Sequence, residues 1–265
     1  MEDGKTETIR RRHEQIINLV RGQGFVTIEA FARQFNVTPQ TIRRDINSLS
    51  KKGLLHRYHG GAGLSPSTEN VDYSRRKTLC FSEKQRIANM VARHIPNQAS
   101  LFINIGTTNE AVAKALYKHD RLRVITNNLN VASILCNNRN FEVIVTGGLV
   151  RSRDGGIIGE ATIDFIRQFK VDYGIIGISG IDEDGTLLDF DYREVNVAKA
   201  IVANSRKVFL AADHTKFGRN AMVRLGSIHD MDALFTDQQP AAAMAELLSL
   251  ANTELYVADD GADPE

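Results

Sequence analysis

The chain has 265 residues, of which 42% are hydrophobic and 25% charged, with 33 Lys+Arg against 32 Asp+Glu. This length allows one or two domains, and the composition allows a sizeable core and excludes a wholly disordered chain. The net charge of +1 conceals a split. Residues 1–80 carry 14 Lys/Arg against 8 Asp/Glu, while 81–265 are net acidic, which points to a polyanion as partner for the head. Scattered charge would look similar, so the motifs must decide. The opening residues MEDGKTETIRRR lack the apolar core of a secretory signal, and no run approaches the length of a membrane span. A cytoplasmic protein is therefore expected, with no membrane partner. Cys80 and Cys136 are too far apart for a disulfide framework or a metal pair, so no metal and no cofactor are expected.

Three helices are predicted in residues 10–50. The first, 10–23, places Ile16, Ile17, Leu19 and Val20 at helical spacing and stops before Gly24. The second opens at Thr27, an N-cap, and carries Ile28, Phe31, Ala32 and Phe35 on one face. The third opens at Thr38-Pro39, a capping threonine and a proline at the first helical position. Only Asn36-Val37 separates the second from the third, the spacing of a helix-turn-helix. After Gly53, residues 54–62 fit a short hairpin, or wing. Residues 64–81 lack periodicity and read as a linker. Ser82 and Gln85 resemble a capping box opening the next helix.

The third helix carries the sharpest chemical signal. With Ile42 at zero, Ile46 and Leu49 fall within about 40° of it, which defines the inward stripe. The opposite face is Gln40, Arg44, Asn47 and Lys51, flanked by Thr41 and Ser48 on one side and Arg43 on the other. It has no acid, because Asp45 falls toward the neighbouring helices. Arginine can bond guanine bidentately, and Gln or Asn can bond adenine. Thr38, Gln40, Thr41, Arg43, Arg44, Asn47 and Lys51 are therefore expected to face DNA, with Arg57 and His59 on the wing meeting phosphates or the minor groove. An ordinary amphipathic surface helix is the alternative. The tight turn, the acid-free face and the basic wing weigh against it. Arg12, Arg21 and Arg33 are expected to be merely solvated.

From Ser100 onward, strand-like runs at 101–105, 124–126, 143–145, 174–178, 208–211, 233–235 and 255–257 alternate with helical stretches at 108–117, 129–137, 160–169, 192–204 and 241–251. That pattern is α/β with a largely parallel sheet. Polar turns follow several strands: Gly106-Thr107-Thr108, Asn127-Asn128, Gly147-Gly148 and Asp213 to Lys216. In an open parallel sheet such turns gather along one edge, where ligands bind, and a strand-turn-helix junction offers free N–H groups to an anion. Each turn alone is unremarkable. Together they suggest a small phosphorylated ligand, with Asp213 accepting from a hydroxyl and Lys216 neutralising phosphate.

The run 37–46, VTPQTIRRDI, followed by Leu49, Gly53, Leu54, Arg57 and 59–62, HGGA, resembles the winged helix of the DeoR family. The turns Gly106-Thr107-Thr108, Thr126-Asn127-Asn128, Gly147-Gly148 and Asp213 with Lys216 match that family's effector domain. The resemblance spans nearly the whole chain. It implies a repressor with domains at 1–63 (winged helix-turn-helix), 64–81 (linker) and 82–265 (α/β effector domain, similar to ribose-5-phosphate isomerase and the CoA transferases). It further implies operator DNA as a partner and a homo-oligomer, dimer or tetramer. The runs 152–162, 177–182 and 213–223 narrow it to the branch answering glycerol 3-phosphate, which implies that molecule as inducer and glycerol-catabolism genes as targets.

Other residues stay open. Asp191 or Glu194 could take ligand hydroxyls and Arg193 phosphate, or the acids could simply serve a helix dipole. Any of Arg151, Arg153 and Arg219 could hold phosphate, or face solvent or another subunit. His13, His94, His119 and His229 show no ligand spacing. A sugar-phosphate isomerase with an appended reader, a DeoR-type repressor answering another sugar phosphate, and an activator are the competing functions. No catalytic residue is assigned.

Overall fold

The computed structural model describes residues 2–23, 25–58, 60–64 and 70–258. Contacts divide the chain into two units, 1–69 and 70–265.

The first unit is built on α1 (Glu2–Gln23), β1 (Phe25–Thr27), α2 (Ile28–Phe35), α3 (Pro39–Lys51), β2 (His56–Tyr58) and β3 (Gly61–Gly63). Helix α1 starts well before the expected residue 10, because the polar stretch before it carries no apolar period to mark it. Thr27 Oγ1 accepts from the Ala30 amide at 3.1 Å, and Thr38 Oγ1 accepts from the Thr41 amide at 3.2 Å, so both expected caps form. Asn36 ends α2 in the left-handed conformation, φ 51°, which makes the abrupt turn into α3. Ile16, Val20, Phe31, Ile42, Ile46, Leu49 and Leu55 form the core. The expected wing pairs β2 with β3, and β1 joins as a third antiparallel strand. A Cβ on Gly61 would lie 2.4 Å from the Val26 carbonyl oxygen, so only glycine lets these strands meet.

The second unit opens with α4 (Tyr73–Thr78) and α5 (Phe81–Arg93), then β4 (Ser100–Ile103), α6 (Thr107–Ala115), β5 (Arg123–Thr126), α7 (Leu129–Leu135) and β6 (Glu142–Val145). It continues through β7 (Leu149–Val150), β8 (Ile157–Ile158), α8 (Glu160–Ile166), β9 (Val171–Ile176), β10 (Gly180–Ile181), β11 (Thr186–Asp189) and α9 (Tyr192–Ala203). It closes with β12 (Ser205–Ala211), β13 (Val223–Ser227), β14 (Ala233–Thr236), α10 (Ala242–Leu250) and β15 (Glu254–Val257). The seven expected strands form one sheet in the order β15-β14-β12-β9-β4-β5-β6, and every pair in it is parallel. Both faces are buried, as a parallel sheet requires. On β4, Leu101 and Ile103 pack with Ile87 and Val112, while Phe102 turns to the cluster of Ile166 and Ile201. Small antiparallel additions, β10-β11-β13 and β7-β8, escaped the sequence pattern.

Two expectations are corrected. Residues 70–81 are not linker: the chain joins the second unit at Asn70 and forms α4. Helix α5 begins at Phe81 behind Cys80, φ 52°, and Ser82 Oγ donates to Glu83 Oε2 rather than capping. His59, the core of the linker (65–69) and the tail 259–265 lie outside the described residues. No described helix is long and apolar enough to cross a membrane.

Candidate DNA-reading surface and effector site

In α3 the stripe Ile42, Ile46, Leu49 is buried, so the opposite face turns outward. Thr38, Gln40, Arg43, Arg44 and Lys51 are exposed, and Thr41 and Asn47 are partly so. Asp45 is turned inward. It accepts from Arg12 Nε at 2.7 Å and lies 3.1 Å from His13 Nε2, which ties α3 to α1. Arg12 is therefore a structural partner, not the solvated charge expected. On the wing, Arg57 Nη1 donates to Asn47 Oδ1 at 2.9 Å. The result is an acid-free outward face of guanidinium, ammonium and amide groups, suited to a groove lined by phosphates.

In the second unit the chain runs β4, β5, β6 toward one edge and then β9, β12, β14, β15 toward the other. The direction reverses between β4 and β9, and at such a switch point the crevice at the strands' carboxyl ends takes ligands. The structure brings most expected residues to the central strands. Gly106, with φ 142°, leads from β4 into α6, where the amides of Thr107 and Thr108 begin the helix without a side-chain cap. Asn127 and Asn128 follow β5 and are almost wholly buried. Asn128 Oδ1 caps α7 through the Asn130 amide at 2.9 Å, and Asn127 Nδ2 donates to the Ile157 carbonyl at 3.2 Å. Asp213 follows β12, accepts from the Thr215 amide at 3.0 Å, and lies 3.8 Å from Lys216 Nζ. Burial pushes the Asp213 carboxyl up, but Lys216 and Thr215 hold it below its ordinary pKa. Burial also lowers the Lys216 amine, against the pull of Asp213. Gly147 and Gly148 follow the edge strand β6 and stay exposed. A Cβ on Gly148 would meet Thr162 Oγ1 at 2.2 Å, so close packing explains that glycine.

Further polar groups line the same edge, and among them Asn104, Asn109 and Thr236 had not stood out in the sequence. Asn109 is fully buried and donates to the carbonyls of Asn104 and Ile105 at 3.1 and 3.2 Å. Among the described residues, Asn104 Oδ1, Asn109 Oδ1, Asn127 Oδ1, Asn128 Nδ2, Thr146 Oγ1 and Thr236 Oγ1 are buried without a hydrogen-bond partner. Such groups cost free energy unless something bonds them, so a cluster of them at a switch point marks a polar ligand site. An asparagine closing an apolar strand, as Asn104 does, was the one signal that could have exposed them. His214 also stands here, its Nδ1 2.6 Å from Asp237 Oδ2.

The run after β11 proves largely structural. Asp191 caps α9 through the Arg193 amide at 3.0 Å, and Arg151 reaches Asp154, Asp191 and Glu194 at 2.7, 3.2 and 2.8 Å. Burial pulls the Arg151 guanidinium down, but Glu194 and Asp154 hold it above its ordinary pKa. Burial raises Glu194 to about 7, and Asp189 adds to the rise. Among the described residues no three His, Cys, Asp or Glu side chains are grouped to hold a metal.

Comparison with known proteins matches residues 12–68 to the DeoR-like helix-turn-helix domain and residues 80–238 to the DeoR C terminal sensor domain. The glycerol-3-phosphate regulon repressor of Escherichia coli (strain K12) is 55% identical over 90% of this chain and 95% of that protein. That of Haemophilus influenzae is 53% identical over 86% and 89%. The HTH-type transcriptional repressor CsqR of Escherichia coli (strain K12) is 42% identical over 95% and 96%. Ribose 5 phosphate isomerase A from Neisseria gonorrhoeae aligns with 51% of this chain and 53% of that chain at 14% identity and a TM-score of 0.38, too loose a likeness to argue from. The isomerase alternative is set aside, because the full-length relatives are repressors. With an acid-free reading face on α3, a parallel-sheet sensor and both domain matches in order, the chain belongs to the DeoR family of DNA-binding transcriptional repressors.

Proposed function

We propose that this chain represses genes of glycerol and glycerol 3-phosphate catabolism in the cytoplasm and leaves its operator when glycerol 3-phosphate binds the sensor. The observation that carries this reading is the full-length match, at 55% and 53% identity, to two repressors named for the glycerol-3-phosphate regulon. The switch-point crevice supports it. Free helix amides at Thr107 and Thr108 and the Lys216 ammonium suit a phosphate, and Asp213 and the buried asparagines suit hydroxyls. Thr38, Gln40, Thr41, Arg43, Arg44, Asn47, Lys51, Arg57 and His59 serve the operator. The chain acts as a homo-oligomer, a dimer or tetramer, so its operator half-sites form inverted repeats. Induction requires that the ligand bind the DNA-free arrangement more tightly than the DNA-bound one.

The test is a thermal-shift series with glycerol 3-phosphate, glycerol, ribose 5-phosphate and fructose 6-phosphate, followed by operator release with whatever stabilises the chain. At a hundredfold excess over Kd the ligand adds about 2.7 kcal/mol to stability. Stabilisation and release by glycerol 3-phosphate are expected. A response confined to another sugar phosphate would overturn the inducer and leave the repressor.

A further inference from the structure

Helix α4 buries none of its own residues, so apolar packing does not seat it. Polar side chains do. Tyr73 Oη donates to Glu110 Oε1 at 2.9 Å, and Arg76 Nη2 lies 3.5 Å from Asp154 Oδ2. Asn70 donates to Ser179 Oγ at 3.2 Å and accepts from Arg219 Nη2 at 2.8 Å. Lys84, at the start of α5, donates to the carbonyls of Arg76 and Leu79. The stretch that leads from the DNA reader is thus strapped to helix α6 and to the loops that follow β7, β9 and β12 by hydrogen bonds and charge.

Two guanidinium nitrogens, Nε of Arg76 on this strap and Nε of Arg219 beside it, are buried without a hydrogen-bond partner among the described residues. The acids around them are engaged elsewhere. Arg151 holds Asp154 with two bonds, at 2.9 and 2.7 Å, which leaves Arg76 the looser grip. Asp189 accepts from Ser179 Oγ at 2.9 Å and from the Phe190 amide at 2.7 Å, and burial raises its pKa. Arg219 is packed over Phe190, its centre 5.0 Å from the ring, and burial lowers it to about 10. Both arginines stand close enough to Lys216 for their charge to lower it further. Three cations that repel one another, two of them with an unused buried donor, suit a multiply charged anion beyond the carboxylates already beside them.

We propose that Arg76, carried by the strap, is a ligand-binding residue of the effector site, its Nε and that of Arg219 donating to oxygens of the effector's phosphate beside Lys216. This rests on the reading that the sensor takes a phosphorylated effector. It places part of the binding shell on the segment joined to the reader, so the effector acts directly on the connection it must switch.

Calorimetric titration of the full chain with glycerol 3-phosphate, glycerol and inorganic phosphate tests it. Arg76→Gln should weaken glycerol 3-phosphate and inorganic phosphate at least tenfold. Arg76→Lys, which keeps the charge but loses the Nε donor, should fall between. Arg75→Gln loses the same charge from an exposed position on the same helix and should bind as wild type. Wild-type affinity in Arg76→Gln overturns the proposal, as does an equal loss in Arg75→Gln. If Arg76→Gln fails to fold, wild-type affinity in Arg76→Lys overturns it. If the wild-type chain ignores glycerol 3-phosphate yet binds inorganic phosphate through Arg76, the inducer falls and the strap stands. If it binds glycerol 3-phosphate whatever stands at 76, the strap falls and the inducer stands. A chain that binds neither anion refutes both.

Discussion

Asp45 is the single acid of α3, and removing it should loosen the reading helix from the rest of the reader. Its carboxylate takes Arg12 Nε at 2.7 Å and Nη2 at 3.2 Å and lies 3.1 Å from His13 Nε2. The Arg12 side chain is only 14% exposed, so Asp45→Ala strands a mostly desolvated guanidinium. Breaking a buried pair from one side costs about 3–5 kcal/mol, and the residual exposure here argues for about 3 kcal/mol. A domain of about 60 residues has a total stability of about 3–9 kcal/mol. The substitution thus removes a third or more of what keeps α3 seated. Urea unfolding, with hydrogen exchange read at the α3 amides, should show an early transition for the reader, and operator binding should drop with it. Acid should act the same way. Burial pushes the Asp45 carboxyl up, but bonds from His13 and Arg12 hold it below its ordinary pKa. A depressed carboxylate contributes its stability in full above its unfolded value of about 3.9 and loses it as pH falls through the folded value. Asp45→Asn should flatten that acid limb. Wild-type exchange in α3 together with wild-type operator affinity in Asp45→Ala would refute the reasoning.

The remaining predictions concern the two sites. Arg44→Ala should cost about 1–3 kcal/mol in operator binding and relax specificity at one base pair, read by competition against mismatched operators. An equal loss on nonspecific DNA would make Arg44 a phosphate contact. Gly61→Ala drives a methyl to 2.4 Å from the Val26 carbonyl oxygen and 2.5 Å from the Phe25 ring. It should destabilise the wing by about 1–3 kcal/mol, seen as a lowered melting temperature of the reader. Lys216→Gln should raise the glycerol 3-phosphate concentration for half-release from the operator by about 10- to 150-fold, the worth of one charge-assisted bond. Unchanged release would take Lys216 out of the site.

Local chemistry made much of this legible in the sequence. Apolar spacing at Ile42, Ile46 and Leu49, with Thr38 and Pro39 before it, names both faces of α3 because a helix's period is rigid. Short β-branched runs separated by helices name a parallel sheet for the same reason, and with it the edge where Gly106, Asn127 and Asp213 gather. What stayed hidden is held by partners far along the chain. Helix α4 has no apolar period because Glu110 and Asp154 seat it, and Arg76 looks like any exposed charge until Asp154 is brought against it. Arg12 pairs with a residue 33 positions away. Asn109 reads as a polar helix surface, yet it is fully buried and bonded back to the carbonyls of Asn104 and Ile105 where β4 ends.

The bond from Arg57 to Asn47 reaches beyond holding the wing against α3. A side-chain amide offers an acceptor on one side and two donors on the other, whereas a guanidinium only donates. On the proposed reading of the operator by Asn47, Arg57 decides which side of that amide meets a base edge by claiming its oxygen. A substitution at 57 would release that amide to turn over and so change the base preferred at a position Arg57 never touches. Drift in operator sequence among relatives should therefore leave its trace as paired changes at 47 and 57, with neither position free to evolve alone.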